Sequence, residues 1–206
     1  MTAPIYATRL TIGLIQSRLA ERKPREEPVF MEIVPRDLVH IGSFAVEFIR
    51  VNHSIIDGVG LAIQTPVGII IHSGDFKIDH SPVDGKVADL HRFGDYGQQG
   101  VHLLMGDSTN AERKGYTRSE SVLKDKLIDI FSGCKGRIIV ATFASNIHRI
   151  QQVLDAASRY NRKVVVSGMT MLKNIEIASQ LGYLKYKDDL IIDTREIGKY
   201  TNKRLV

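Results

Sequence analysis

Apolar side chains at Leu10, Ile12, Leu14, Ile15 and Leu19 recur at helical spacing between Ala7 and Arg22, which predicts an amphipathic helix there. It runs into a charged exit over residues 21–28, where Pro24 and Pro28 stop it. Extended, β-rich segments follow at Val29–Val34, Phe44–Val51, Leu61–Thr65 and Ile69–His72, and Thr65-Pro66-Val67-Gly68 between the last two predicts a hairpin turn. Within the second segment Phe44, Val46 and Phe48 alternate with Ala45, Glu47 and Ile49, the pattern of a half-buried strand.

From Val101 onward the pattern turns to strand and helix in alternation. Val101–Met105, Arg137–Thr142 and Lys163–Ser167 read as strands, and Ser119–Phe131, Asn146–Tyr160 and Met169–Leu181 as helices. That order predicts a parallel α/β arrangement. Ser119, and Ser145 or Asn146, are placed to cap the first two helices. No repeat, heptad or low-complexity tract interrupts the chain. The charged turn over residues 110–115 is the natural boundary, dividing the chain into residues 1–110 and 111–206.

Composition narrows the class. With 206 residues and 43% hydrophobic content the chain can bury one large core or two modest ones. No stretch reaches the length of a membrane span, and the start, Met1 to Tyr6, lacks the form of a signal peptide. One cysteine, Cys134, excludes an intramolecular disulfide framework and fits a reducing compartment, so a cytoplasmic location is the expectation. The net charge of +5 is divided unevenly: residues 1–110 hold 10 Lys+Arg against 13 Asp+Glu, residues 111–206 hold 18 against 10. The second part suits a polyanion such as RNA, although a solvated surface explains the same balance. Tryptophan is absent and aromatics are few, so extensive base stacking is not advertised.

The candidate chemistry lies at strand ends. Asp75 follows the apolar run Val67–Ser73, and His53, 22 residues upstream, follows Phe44–Val51. An imidazole and a carboxylate at two strand exits can share a metal. A loop histidine and a turn-capping aspartate explain the same residues without one. Asp107 ends a third strand and could equally cap a turn. Ala144-Ser145-Asn146 joins the expected strand at 137–142 to a helix carrying Arg149, a junction whose free N–H groups attract phosphate. Asp79 and His80 read as surface residues, and Cys134 has no His or Cys nearby.

The wording of these segments is more specific than their spacing. Asn52-His53-Ser54-Ile55-Ile56-Asp57, Ser73-Gly74-Asp75-Phe76-Lys77, Gly106-Asp107-Ser108-Thr109-Asn110-Ala111-Glu112 and Phe143-Ala144-Ser145-Asn146-Ile147-His148-Arg149 occur in this order. Together they resemble the bacterial ribonuclease J family, nucleases of the metallo-β-lactamase fold with a β-CASP insertion. The likeness runs from Ala3 to the region of Gly182, with Ile56 where the family commonly has proline.

The resemblance implies an α/β fold: part of a metallo-β-lactamase αββα sandwich over residues 1–110, then a parallel α/β portion of a β-CASP domain over 111–206. It implies a zinc-dependent ribonuclease that hydrolyses RNA phosphodiester bonds from the 5′ end and internally. His53 and Asp75 would be metal ligands, Asp107 a catalytic acidic residue orienting a histidine, and Ala144, Ser145, Asn146 and Arg149 an RNA-binding face. The expected cofactor is two zinc ions in the complete enzyme. The expected partners are RNA, with room for a homo-oligomer or an RNA-decay complex, and no membrane.

The family's His-x-His-x-Asp-His loop and His-x-Ser-Gly-His loop do not occur among these residues, and the 7 histidines are scattered. The chain therefore looks like the middle of an enzyme, expected to be inactive alone and to hold zinc weakly or not at all. A non-catalytic RNA-binding or scaffold subunit of the same fold is the alternative. A small-molecule hydrolase of that fold is weaker, because such members lack the insertion.

Overall fold

The computed structural model describes residues 3–22, 24 and 26–206. Met1 and Thr2 of the start, and Lys23 and Arg25 of the charged exit, lie outside the described residues. The chain is a mixed α/β protein that packs as two units, Met1–Arg118 and Ser119–Val206.

In the first unit, β1 (Ile5–Ala7) leads into α1 (Arg9–Arg22) and pairs in parallel with β2 (Phe30–Glu32). Leu10 is the buried anchor of α1, and its N–H is taken up by the Asp57 carboxylate at 3.1 Å, satisfying one of the first-turn donors. A five-stranded sheet follows in the order β3 (Leu38–Ile41), β4 (Phe44–Arg50), β5 (Val59–Thr65), β6 (Gly68–His72) and β7 (Val101–Met105). The first four strands are antiparallel neighbours, and β7 joins parallel to β6 after α2 (Leu90–Gln99).

The expected turn at 65–68 is there, with the Thr65 hydroxyl donating to the Gly68 carbonyl at 2.7 Å. Of the elements that escaped the sequence pattern, β3 and α2 matter most here. β3 is a short hairpin partner of β4 in which Ile41 pairs with Phe44 across Gly42-Ser43, and Gly42 takes the positive φ of 59° that so tight a turn needs. α2 carries Gly94 and Gly97 within ten residues, which weakens any helix signal.

α2 decides which face of the sheet is inside. Ile49, Ala62, Ile71 and Tyr96 form the core, with Ile69, Phe93 and Val101 packed against it. Phe48 is buried too, so β4 is covered on both faces along its second half, which corrects the half-buried reading. Glu47 lies on the face that α2 covers. Its carboxylate accepts from Arg92 Nε at 2.8 Å, from an Arg92 terminal nitrogen at 2.6 Å and from the Tyr96 hydroxyl at 2.5 Å. The Arg92 bonds outweigh burial and hold the Glu47 pKa below the usual carboxylate range, whereas burial first, then Glu47, pushes the Tyr96 pKa up.

In the second unit, α3 (Ser121–Gly133), α4 (Ile147–Arg159), β8 (Val164–Val165), α5 (Met169–Gln180) and β9 (Ile191–Ile192) follow in turn. α4 buries Ile147, Ile150, Val153, Leu154 and Ala157 along one face. β8 pairs in parallel with β9, and on its other side Lys163 bridges Leu205. The expected strand at Arg137–Thr142 is not one: among the described residues it meets the Leu205 carbonyl through Ile138 N–H, at 3.2 Å, without forming a ladder. The local pattern is strand-like, but a strand exists only where successive N–H and C=O groups find a partner. Arg162, although 3% exposed, is satisfied by the carbonyls of Cys134, Gly136 and Leu205. Among the described residues no helix is long and apolar enough to cross a membrane.

Candidate functional site

Direction brings the candidate residues together. β5 is antiparallel to both β4 and β6, and β7 is parallel to β6, so β4, β6 and β7 all end at one edge of the sheet. Their exits carry His53, Asp75 and Asp107 respectively. β5 begins at this edge, and at its second residue, Gly60, a Cβ would lie 2.8 Å from the Ser73 carbonyl oxygen, so a side chain there would push the β6 exit away.

The three exits are tied by backbone bonds. Ser73 N–H donates to the Met105 carbonyl at 2.9 Å, and Ser73 Oγ accepts the Asp107 N–H at 2.9 Å while donating to the Gly74 carbonyl at 2.7 Å. Gly74 turns with φ of 62°, and two residues on, Phe76 N–H points at Asp107 Oδ2 at 3.4 Å. Lys77 N–H donates to the Asn52 carbonyl at 2.7 Å, an isolated antiparallel bridge that draws the residue before His53 to the loop of Asp75.

Asp107 is held ionised. The Thr109 N–H on Oδ1 at 2.8 Å is the main cause of its lowered pKa, followed by the Thr109 side chain, the Phe76 N–H and the charge of His53. His53 and Asp75 are both exposed, and His53 Nδ1 lies 3.3 Å from the Ser54 hydroxyl.

Two donors do not make a zinc centre, since catalytic zinc takes three protein ligands and a water. Among the described residues no group of three or more His, Cys, Asp or Glu side chains is placed to hold a metal. The donor set of this chain does not fit two zinc ions by itself.

In the second unit the RNA-binding candidates are engaged within the fold. Asn146, offered both as a helix cap and as part of an RNA-binding face, is 6% exposed and caps α4, its Oδ1 accepting the Arg149 N–H at 3.1 Å. Arg149 was expected free for phosphate, yet both Glu120 carboxylate oxygens accept from it at 2.8 Å. Gln152 adds a bond to the Glu120 carbonyl at 3.0 Å, so α4 is clasped to the segment entering α3. Ser145 is half-buried, and the Ala144 carbonyl accepts from Asn174 at 3.0 Å. In the first unit Asp79, expected at the surface, is 5% exposed, with Lys77 Nζ at 3.4 Å and Ser81 N–H at 3.0 Å.

Sequence reasoning passed over Ser73 and Asn52, whose side chains secure these exits. Both stand inside segments already singled out, next to the residues they secure, but a side chain that bonds backbone leaves no periodic signal.

Comparison with known proteins bears on the family of the chain. Residues 135–206 match the family model of the β-CASP domain of ribonuclease J. The chain is 43% identical over 204 residues to Ribonuclease J of Helicobacter pylori, covering 98% of this chain and 30% of that protein. It is 48% identical over 189 residues to Ribonuclease J of Thermus thermophilus, covering 91% of this chain and 33% of that one. The chain thus spans about a third of the length of these relatives. Among solved structures, a protein of unknown function from Enterococcus faecalis V583 matches with a TM-score of 0.70 at 16% identity, over 98% of this chain and 52% of that one, a likeness of fold alone. The identity over nearly the whole chain, with the match of its last third to the β-CASP model, makes this chain a member of the ribonuclease J family.

Proposed function

We propose that this chain is part of a cytoplasmic, zinc-dependent ribonuclease that hydrolyses RNA phosphodiester bonds, from the 5′ end and internally. The observation that carries the reading is the gathering of His53, Asp75 and Asp107 at one sheet edge, with the β6 and β7 exits locked by Ser73 and Asp107. His53 and Asp75 are two donors of a metal set that residues outside this chain would complete. Asp107, ionised and held by the N–H groups of Thr109 and Phe76, is a fixed acceptor able to orient a proton-donating histidine supplied from elsewhere. The positive balance of residues 111–206, 18 Lys+Arg against 10 Asp+Glu, suits the phosphate backbone of RNA.

The test is made in a full-length ribonuclease J carrying this stretch. Asp75→Ala should abolish cleavage with metal in excess and leave RNA affinity nearly intact, because it removes a metal donor and no phosphate contact. Cleavage near the parental rate would sink the reading. The 206-residue chain alone should neither cleave RNA nor retain zinc after dialysis against a mild chelator, and tight stoichiometric zinc in it would count against this donor assignment.

A non-catalytic RNA-binding subunit is the second reading, favoured by the incomplete donor set among the described residues. The Asp75→Ala comparison separates the two, since a non-catalytic parent has no cleavage to lose.

A further inference from the structure

We infer that Asn52 is a positioning residue for His53, an inference that rests on the functional reading above. Asn52 joins three segments. Its backbone carbonyl accepts Lys77 N–H at 2.7 Å, from the loop that carries Asp75. Its side-chain amide donates through Nδ2 to the Lys86 carbonyl at 2.8 Å and accepts through Oδ1 from Ala88 N–H at 2.9 Å. The amide thus copies a strand's donor and acceptor, and the copy continues a real bond, Asp89 N–H to the Arg50 carbonyl at 3.0 Å.

The consequence for His53 is geometric. β4 ends at Arg50, and pairing towards β5 continues one step further, through Val51 N–H to the Gly58 carbonyl at 3.1 Å. Asn52, the next residue, takes over with bonds on both sides, one residue before the imidazole. The route from this anchor to the carboxylate of Asp107 is short: Asn52 to Lys77, its neighbour Phe76, and the Phe76 N–H to Asp107 Oδ2 at 3.4 Å. Asn52 therefore sets where His53 stands relative to the exits carrying Asp75 and Asp107, and touches no reacting group itself. An aliphatic residue would fill the space and supply neither bond. Aspartate would keep the acceptor for Ala88 and lose the donor for Lys86.

The experiment compares Asn52→Ala and His53→Ala in a full-length ribonuclease J carrying this stretch, with metal in excess. For Asn52→Ala the expected result is a fall in kcat of about 10- to 100-fold, the scale on which small misplacements of a catalytic group act. KM for RNA and Tm should stay near the parent, while amide hydrogen exchange at Ala88 and Lys77 speeds up. Should Asn52→Ala fail to fold, Asn52→Asp is measured in the same way. If His53→Ala abolishes cleavage and the Asn52 variant keeps the parental kcat, this inference falls and the functional reading stands. If kcat and Tm fall together, Asn52 is a stabilising residue only and the inference is overturned. If His53→Ala cleaves at the parental rate, the functional reading itself is lost, and positioning by Asn52 with it.

Discussion

The Ser73 hydroxyl accepts the Asp107 N–H at 2.9 Å, so the residue leaving β6 holds the carboxylate residue that follows β7. The two lie 34 positions apart in the chain. A parallel strand pair puts their exits at one edge, and this hydroxyl, together with the Phe76 N–H on Asp107 Oδ2, joins the exits themselves.

Ser73→Ala should therefore destabilise the first unit by about 1–2 kcal/mol, the cost of leaving a partly buried N–H without its acceptor. Denaturant unfolding of the chain measures it, and an unchanged midpoint would show that the tie carries no weight.

Asp107 should give an acid-side dependence of stability. Its folded pKa is lowered by the Thr109 and Phe76 N–H groups, so the unfolded chain takes up protons first. Its contribution is fully present above the ordinary carboxylate value near about 4 and is lost as pH falls through the lower folded value. The stability difference between parent and Asp107→Asn should accordingly narrow below about pH 4. A difference constant from neutral pH into that range would refute the assignment.

Glu47→Ala leaves Arg92 and Tyr96 facing each other beneath the sheet without the carboxylate that joins them. The expected loss is on the order of 2 kcal/mol, because Arg92, with 26% of its side chain exposed, loses its short bonds and keeps as an ion pair only the 3.4 Å one with Asp95. Glu47→Leu with Arg92→Leu together should recover part of it. If the double variant is as unstable as the single one in urea melts, the stranded charge is not the cause.

Arg149→Ala should weaken the clasp between α4 and Glu120 by about 1 kcal/mol, as a partly exposed pair made through one guanidinium nitrogen would. It should leave the salt dependence of RNA binding by the full-length enzyme unchanged. A slope reduced by about one would instead make Arg149 a phosphate contact and require release of Glu120 on binding.

The pattern of the chain was enough to locate the exits of β4, β6 and β7. Apolar runs closed by polar turns are local, and the segments around His53, Asp75 and Asp107 carry a family's wording. The same local logic found α1, α3, α4, α5 and the turn at 65–68. It failed at α2, where two glycines dilute the helical period and a buried sheet face supplies what propensity lacks. It failed also at Arg137–Thr142, whose apolar run is strand-like while the ladder that makes a strand depends on a neighbour distant in sequence.

Side-chain employment was legible only where it is local, as in the Asn146 cap of α4. Arg149 looks free for phosphate until Glu120, 29 residues before it, accepts from it with both carboxylate oxygens. Glu47 looks like an outward residue of an alternating strand until α2 brings Arg92 and Tyr96 over it. Residue type and period are properties of neighbours along the chain and survive in the sequence. Whether a polar group is free for a ligand or already satisfied is settled by partners across the fold, and only the tertiary structure decides it.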